Sequence, residues 1–189
     1  MKRLWIGLAA LLLAAVPASA STVIGMSVED HARLSKHVVL GTIVSQVGID
    51  DPEMGIETAV TIRVQHDFKR QAAAGDLITF HIRSGQVGDE VSIAEGEAVF
   101  QTGKRALVFL EDIDGKLYNI GLSSSVWNVL EDRRGGVAFT RALQDGLEVV
   151  GGQFEMGPIS YAGMQGRITA SMHKPEFDNP MLREARLED

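Results

Sequence analysis

Five histidines, His31, His37, His66, His81 and His173, are the residues of this chain best suited to acid–base or metal chemistry. Their spacing does not assemble a site. The sequence holds no His-Glu-x-x-His pair. Strand alternation puts His66 on the apolar side of its segment and His81 on the polar side of the next, so the two rings are expected to point to opposite sides of a sheet. His66 should pack at a barrel end, with His81 solvated. Asp50, Asp51 and Glu53 lack the alternating ligand order of an EF-hand, and Asp112-Ile113-Asp114-Gly115 stops after two possible ligands. These read as loop charges and as a hairpin. Ser123-Ser124-Ser125 lies outside any Gly-x-Ser-x-Gly elbow, and Gly103-Lys104-Arg105 lacks the upstream glycine and following hydroxyl of a phosphate loop. With no cysteine, the chain has no disulfide, thiolate metal centre or thiol nucleophile. No catalytic, metal-binding or cofactor-binding residue is therefore assigned. The candidates for interaction are Gly85, Val87 and Gly88, in a glycine-rich loop, and Trp127, an aromatic that either fills the barrel or sits on its wall as an interaction anchor.

The 189 residues carry 45% hydrophobic and 23% charged side chains with a net charge of −7, an ordinary globular composition. Lys2 and Arg3 precede an apolar run from Leu4 to Val16, and Ala18-Ser19-Ala20 closes the segment with small residues. This predicts a signal peptide over residues 1–20, cleaved at the Ala18-x-Ala20 exit, because an apolar core of about 13 residues is short of the roughly 20 that span a bilayer. The product is expected in the periplasm or outside the cell. Loss of the two basic residues leaves 16 basic and 25 acidic side chains, a net of −9. That balance disfavours nucleic acid, whose affinity comes largely from lysine and arginine on phosphates. The remaining 169 residues suit one domain over residues 21–172, followed by a polar, flexible tail over residues 173–189.

Ser27-Val28-Glu29-Asp30 has the hydroxyl-to-carboxylate spacing of a helix start, giving a short helix to Lys36 with a thin stripe of Val28, Ala32 and Leu34. His37 to Val47 is rich in β-branched residues and predicts a strand; Gly48 to Gly55 reads as a loop. Val60, Ile62, Val64 and Phe68 alternate with polar residues, and Ile78, Phe80 and Ile82 repeat the pattern. Ser84 to Asp89 is too glycine-rich for regular structure, and Glu90 to Phe100 has room for one or two short strands. Arg105 to Glu111 is apolar on both parities, as a strand covered on both sides would be. Asp114-Gly115 and Arg133-Arg134-Gly135-Gly136 predict hairpins. Tyr161, Met164, Ile168 and Met172 share a helical face over residues 160–172. The fold class is therefore all-β, or β-rich α+β: a small OB-like barrel of about six to eight short strands with an N-terminal and a C-terminal helix.

The run Val38-Val39-Leu40-Gly41-Thr42-Ile43-Val44, followed by Val60 to Lys69, Ser84-Gly85 with Gly88, and Gly96, Phe100, Gly103, Arg105 and Val108-Phe109-Leu110, resembles a family of small exported bacterial domains with an OB-fold, TIMP-like β-barrel. The similarity spans about residues 27–140. It implies a barrel scaffold, and some members of that family accompany or precede secreted metalloproteases. No catalytic residue transfers, and the cysteine with which animal TIMP proteins ligate a protease metal has no counterpart here. The expected role is an exported, non-enzymatic binding domain of the bacterial envelope or medium. Its partner would be a protein, with a secreted protease implied by the resemblance; it would use no cofactor and keep no membrane span after processing. The rival is a secreted hydrolase whose residues converge from separate strands around His66, Asp67 or His81. A deep pocket holding two of these within hydrogen-bond reach would favour the rival, and a filled barrel would not.

Overall fold

In the computed structural model of the protein, which describes residues 21–173, strand β1 (Ser21–Ile24) leads into helix α1 (Val28–Leu34). The signal segment assigned to residues 1–20 and the tail beyond His173 lie outside the described residues. Helix α1 starts where the sequence placed it. The Ser27 hydroxyl accepts from the Asp30 amide at 3.1 Å while the Asp30 carboxylate accepts from the Ser27 amide at 3.3 Å, a closed capping box. Strands β2 (His37–Asp51), β3 (Gly55–Asp67), β4 (Leu77–Ile82), β5 (Gly85–Val87), β6 (Glu90–Ser92), β7 (Arg105–Ile113) and β8 (Lys116–Asn119) follow. After a 3₁₀ turn (Leu122–Ser125) come β9 (Trp127–Glu131), β10 (Val137–Arg141), β11 (Leu147–Val150), β12 (Ile159–Ser160) and helix α2 (Tyr161–Met172), capped by Ser160.

Five strands close on themselves in the order β2-β3-β4-β8-β7 and back to β2. Every pair in this ring is antiparallel except β4–β8, which is parallel through His81 and Tyr118. The expected β-rich barrel with a helix at either end is thus the observed architecture. Closure leaves the ring with no open edge. Strands β9, β10 and β12 extend the sheet from β7, β1 pairs in parallel with β11, and β5 and β6 form a separate hairpin.

Two apolar clusters explain the sequence pattern. The barrel interior holds Val39 and Ile43 of β2, Val60, Ile62 and Val64 of β3, Ile78, Phe80 and Ile82 of β4, and Ala106, Val108 and Leu110 of β7. Ala98 and Phe100 plug it from the connecting segment, with the Phe80 and Phe100 rings 5.3 Å apart, edge to face. The second cluster lies outside the barrel and under the helices, where Val38, Leu40, Leu107 and Phe109 meet Val28, Ala32, Trp127, Phe139, Met164 and Ile168. Strands β2 and β7 are therefore covered on both faces, which is why their apolar residues occupy both parities.

The structure corrects three expectations and adds strands that none foresaw. Residues 48–55 are a loop only at the turn over 52–54: β2 and β3 run on as a long two-stranded arm, with Gly48 opposite Thr58 and Asp51 opposite Gly55. Turn chemistry was legible there, but the arm's polar residues hid its strands. Residues 85–87 do form a strand, because β5 lies on that arm. Gly48 makes this possible, since a Cβ there would sit 1.9 Å from the Gln86 carbonyl oxygen. A bulge at Gln65, between the Gly41–Val64 and Leu40–His66 pairs, flips the strand parity. His66 consequently faces the outer cluster, 4.6 Å edge-on to Phe68. Finally, β1, β11 and β12 carried no sequence signal above their short lengths.

Candidate functional site

Glu57, His81 and Tyr118 come from three neighbouring strands and share the outward face of the barrel wall, because Ala59 pairs with His81 and His81 with Tyr118. Glu57 is only 1% exposed. Its Oε1 accepts from the Tyr118 hydroxyl at 3.0 Å and its Oε2 from Lys116 Nζ at 3.1 Å. Lys116 also donates to Asp51 at 2.6 Å, tying the β2–β3 arm to β8. His81 Nδ1 lies 3.2 Å from Glu57 Oε2 but off the line of a hydrogen bond. The imidazole is thus not solvated as its strand parity suggested; it is enclosed beside a carboxylate and 5.7 Å from the Tyr118 ring.

The electrostatics follow from these contacts. The Lys116 ammonium and the Met54 and Glu53 amides hold the Asp51 carboxyl down at about 2. Asp51, then Glu57, push the Lys116 ammonium above its usual range. Burial, with donation to Glu57, raises the Tyr118 phenol. A cleft of about 360 Å³ opens beside this cluster, lined by Thr22, His81, Arg83, Glu97, Tyr118 and Asn119 among others. Burial raises the Glu97 carboxyl, whose oxygens accept from the Arg83 amide at 3.0 Å and the Ala98 amide at 2.8 Å. Both oxygens of Glu57 are engaged by groups that fasten the arm, so the cluster works first as a structural clasp.

The three residues of the hydrolase reading are not brought together. Asp67 follows His66 but faces the other way, and its Oδ2 accepts from His37 Nδ1 at 2.9 Å while its Oδ1 accepts from the Lys69 amide at 3.0 Å. His81 instead meets Glu57. The serine run is enclosed: Ser124 donates to the Gly121 carbonyl at 2.5 Å, Ser125 to Asn119 Oδ1 at 2.8 Å, and Ser123 Oγ accepts from the Gln144 amide at 3.1 Å. Asp51 closes the arm's turn, accepting from the Glu53 and Met54 amides at 2.9 Å each, and Asp112 closes the next hairpin through the Gly115 amide at 2.7 Å. Among the described residues no three His, Asp or Glu side chains converge as a metal site would require.

Trp127 is fully enclosed, which excludes an exposed contact anchor, but it sits on the barrel wall in the outer cluster and does not fill the barrel. Its indole carries the Arg141 guanidinium 4.3 Å above the ring, a neighbour that sequence reasoning missed because Arg141 ends a strand where charged residues usually face water. Gly85, Val87 and Gly88 stand differently. Gly85 packs against the Glu57 backbone, where a Cβ would come within 2.5 Å of the carbonyl oxygen. Gly88 opens the two-residue turn between β5 and β6 with φ of 59°. Val87 is exposed beside it, as are Val91 at 58% and Ile93 at 75%. Val47 is exposed as well, on the face of the arm away from β5, because its neighbour Gly48 is the residue that meets Gln86. From Ser84 to Gly103 the chain has no lysine or arginine, while Asp89, Glu90 and Glu95 are exposed. By register Val91 lies on the face opposite Val87, so exposed apolar side chains occupy both faces of the hairpin, bordered by these carboxylates. No protein-family model matches the chain, and neither curated proteins nor solved structures supply a match.

Proposed function

We propose that the chain is an exported, non-enzymatic binding domain that docks a protein partner in the envelope or the medium through the β5–β6 hairpin. The observation that carries this reading is the pair of exposed side chains Val91 and Ile93 on one face of a hairpin held against the arm, with Val87 exposed on its other face. Apolar side chains grouped on a short, well-supported hairpin mark a contact surface more readily than scattered ones do. The exposed Asp89, Glu90 and Glu95 complement a partner whose apolar contact is rimmed by lysine or arginine. A barrel filled by Phe80, Phe100 and aliphatics leaves the interior to packing, which favours binding on the outside. The ring order, with one parallel pair between its third and fifth strands in chain order, supports the OB-like and TIMP-like reading of the barrel. Export rests on the basic start, short apolar run and Ala18-Ser19-Ala20 exit.

Affinity recovery from exported fractions tests the proposal with the wild type, a V91D/I93D double variant and a control substitution at exposed Leu130 on β9. The same protein should be recovered by wild type and control and lost by the double variant. Recovery that ignores the hairpin, or turnover of a substrate by the pure protein without any partner, would overturn it.

A further inference from the structure

Arg141 is the anomaly of the outer cluster. It is 3% exposed, and its Nε, Nη1 and Nη2 atoms are all buried without a hydrogen-bond partner among the described residues. A guanidinium carries five N–H donors, and leaving a charge buried and unpaired is strongly destabilising. Two aromatic rings lie against it: the Trp127 ring centroid is 4.3 Å from the guanidinium carbon and the Phe154 centroid 4.4 Å. The aromatic faces stabilise the cation by cation–π attraction, but they leave the in-plane donors unsatisfied. The Trp127 indole N–H of the same stack is also buried without a partner. Glu155 is the nearby carboxylate whose field reaches Arg141, yet it is bonded to Arg167, which in turn grips Glu29 through both of its oxygens at 2.6 and 2.7 Å. Arg141 is therefore a cation whose neighbouring counter-ion is already committed elsewhere.

We propose that Arg141, between Trp127 and Phe154, is an internal binding site for a small carboxylate. A planar carboxylate matches the two parallel N–H bonds that a guanidinium offers in its own plane. Two aromatic rings this close to the guanidinium suit a flat, singly charged group better than a tetrahedral dianion. Access is through the 151–158 segment, which joins β11 to β12 and supplies Phe154 as the cover. Gly151, Gly152 and Gly157 flank that cover with φ of 58°, 62° and 90°, and every residue between Gly151 and Pro158 except Phe154 and Glu155 is exposed. Lifting Phe154 would open the edge of the guanidinium without disturbing the barrel.

The chain has two tryptophans, Trp5 and Trp127, so the full chain carrying Trp5→Phe reports on Trp127 alone. Its emission and melting temperature are followed while acetate, propionate or benzoate is added, with chloride and inorganic phosphate at matched ionic strength as the other arms. The carboxylates should give a saturable change in emission and a rise in melting temperature that chloride and phosphate do not give. Arg141→Lys, which keeps the charge but not the fork, should bind about tenfold more weakly; Arg141→Met should not respond. An equal response to all the anions, or an unchanged response in Arg141→Lys, would overturn the proposal, as would no response to any carboxylate by the parent chain.

Discussion

His31 gives a pH dependence whose size can be worked from the structure. The imidazole is wholly enclosed on α1, with Nδ1 3.1 Å from the Ser27 carbonyl oxygen and the ring 5.5 Å from that of Phe109. A carbonyl only accepts, so Nδ1 carries the proton and the ring is neutral. Burial, reinforced by the Arg141 charge, pushes the group down from 6.5 to about 3. A base whose pKa is lower in the folded state stays neutral there while the unfolded chain takes up a proton. Stability therefore falls as pH drops below 6.5 and continues to fall until about 3. With about 1.36 kcal/mol per pH unit, His31 should remove about 2 kcal/mol between pH 7 and pH 5. Urea unfolding at both pH values, for wild type and His31→Phe, isolates the effect because carboxylates elsewhere contribute equally to both proteins. The acid loss should be smaller in the variant by about that 2 kcal/mol. Parallel losses in the two proteins would refute the neutral, enclosed histidine.

Other perturbations test other parts of the structure. Glu57→Ala leaves the Tyr118 hydroxyl without its acceptor and Lys116 with Asp51 alone, and should cost about 1 to 3 kcal/mol in urea unfolding, whereas a change within 0.5 kcal/mol would show that the clasp is not structural. Phe80→Ala removes the largest side chain enclosed in the barrel and should cost about 3 to 5 kcal/mol, with a loss near 1 kcal/mol contradicting the filled interior. Gly48→Ala forces β5 off the arm, so amide exchange at Gln86 and Val87 should accelerate while that at Val108 stays slow. Unchanged exchange at Gln86 would show that the hairpin does not lean on Gly48.

The sequence revealed those parts of the fold in which burial imposes a period. The alternation of Val60, Ile62 and Val64 and the two-sided run from Arg105 to Glu111 read directly onto β3 and β7, because their side chains must enter one or two apolar clusters. The capping box at Ser27 and the Asp114-Gly115 turn were equally legible, since each depends on residues within three or four positions. The Glu57, His81 and Tyr118 cluster was not. These residues sit on polar parities that look solvated until barrel closure brings β4 beside β8. The Gln65 bulge likewise reversed His66, for an extra residue leaves the alternating pattern intact on paper while turning the side chain over. Arg141 escaped notice because only the packing of Trp127 and Phe154 around it distinguishes it from an exposed strand-end arginine.

The hairpin as a docking surface is tested most directly by amide hydrogen exchange of the protein alone and with the partner recovered from exported fractions. The account predicts that binding slows exchange from Gln86 to Ile93 and leaves the amides beside His81 and Tyr118 as they were. Protection confined to the His81 cleft, with the hairpin still exchanging freely, would contradict it.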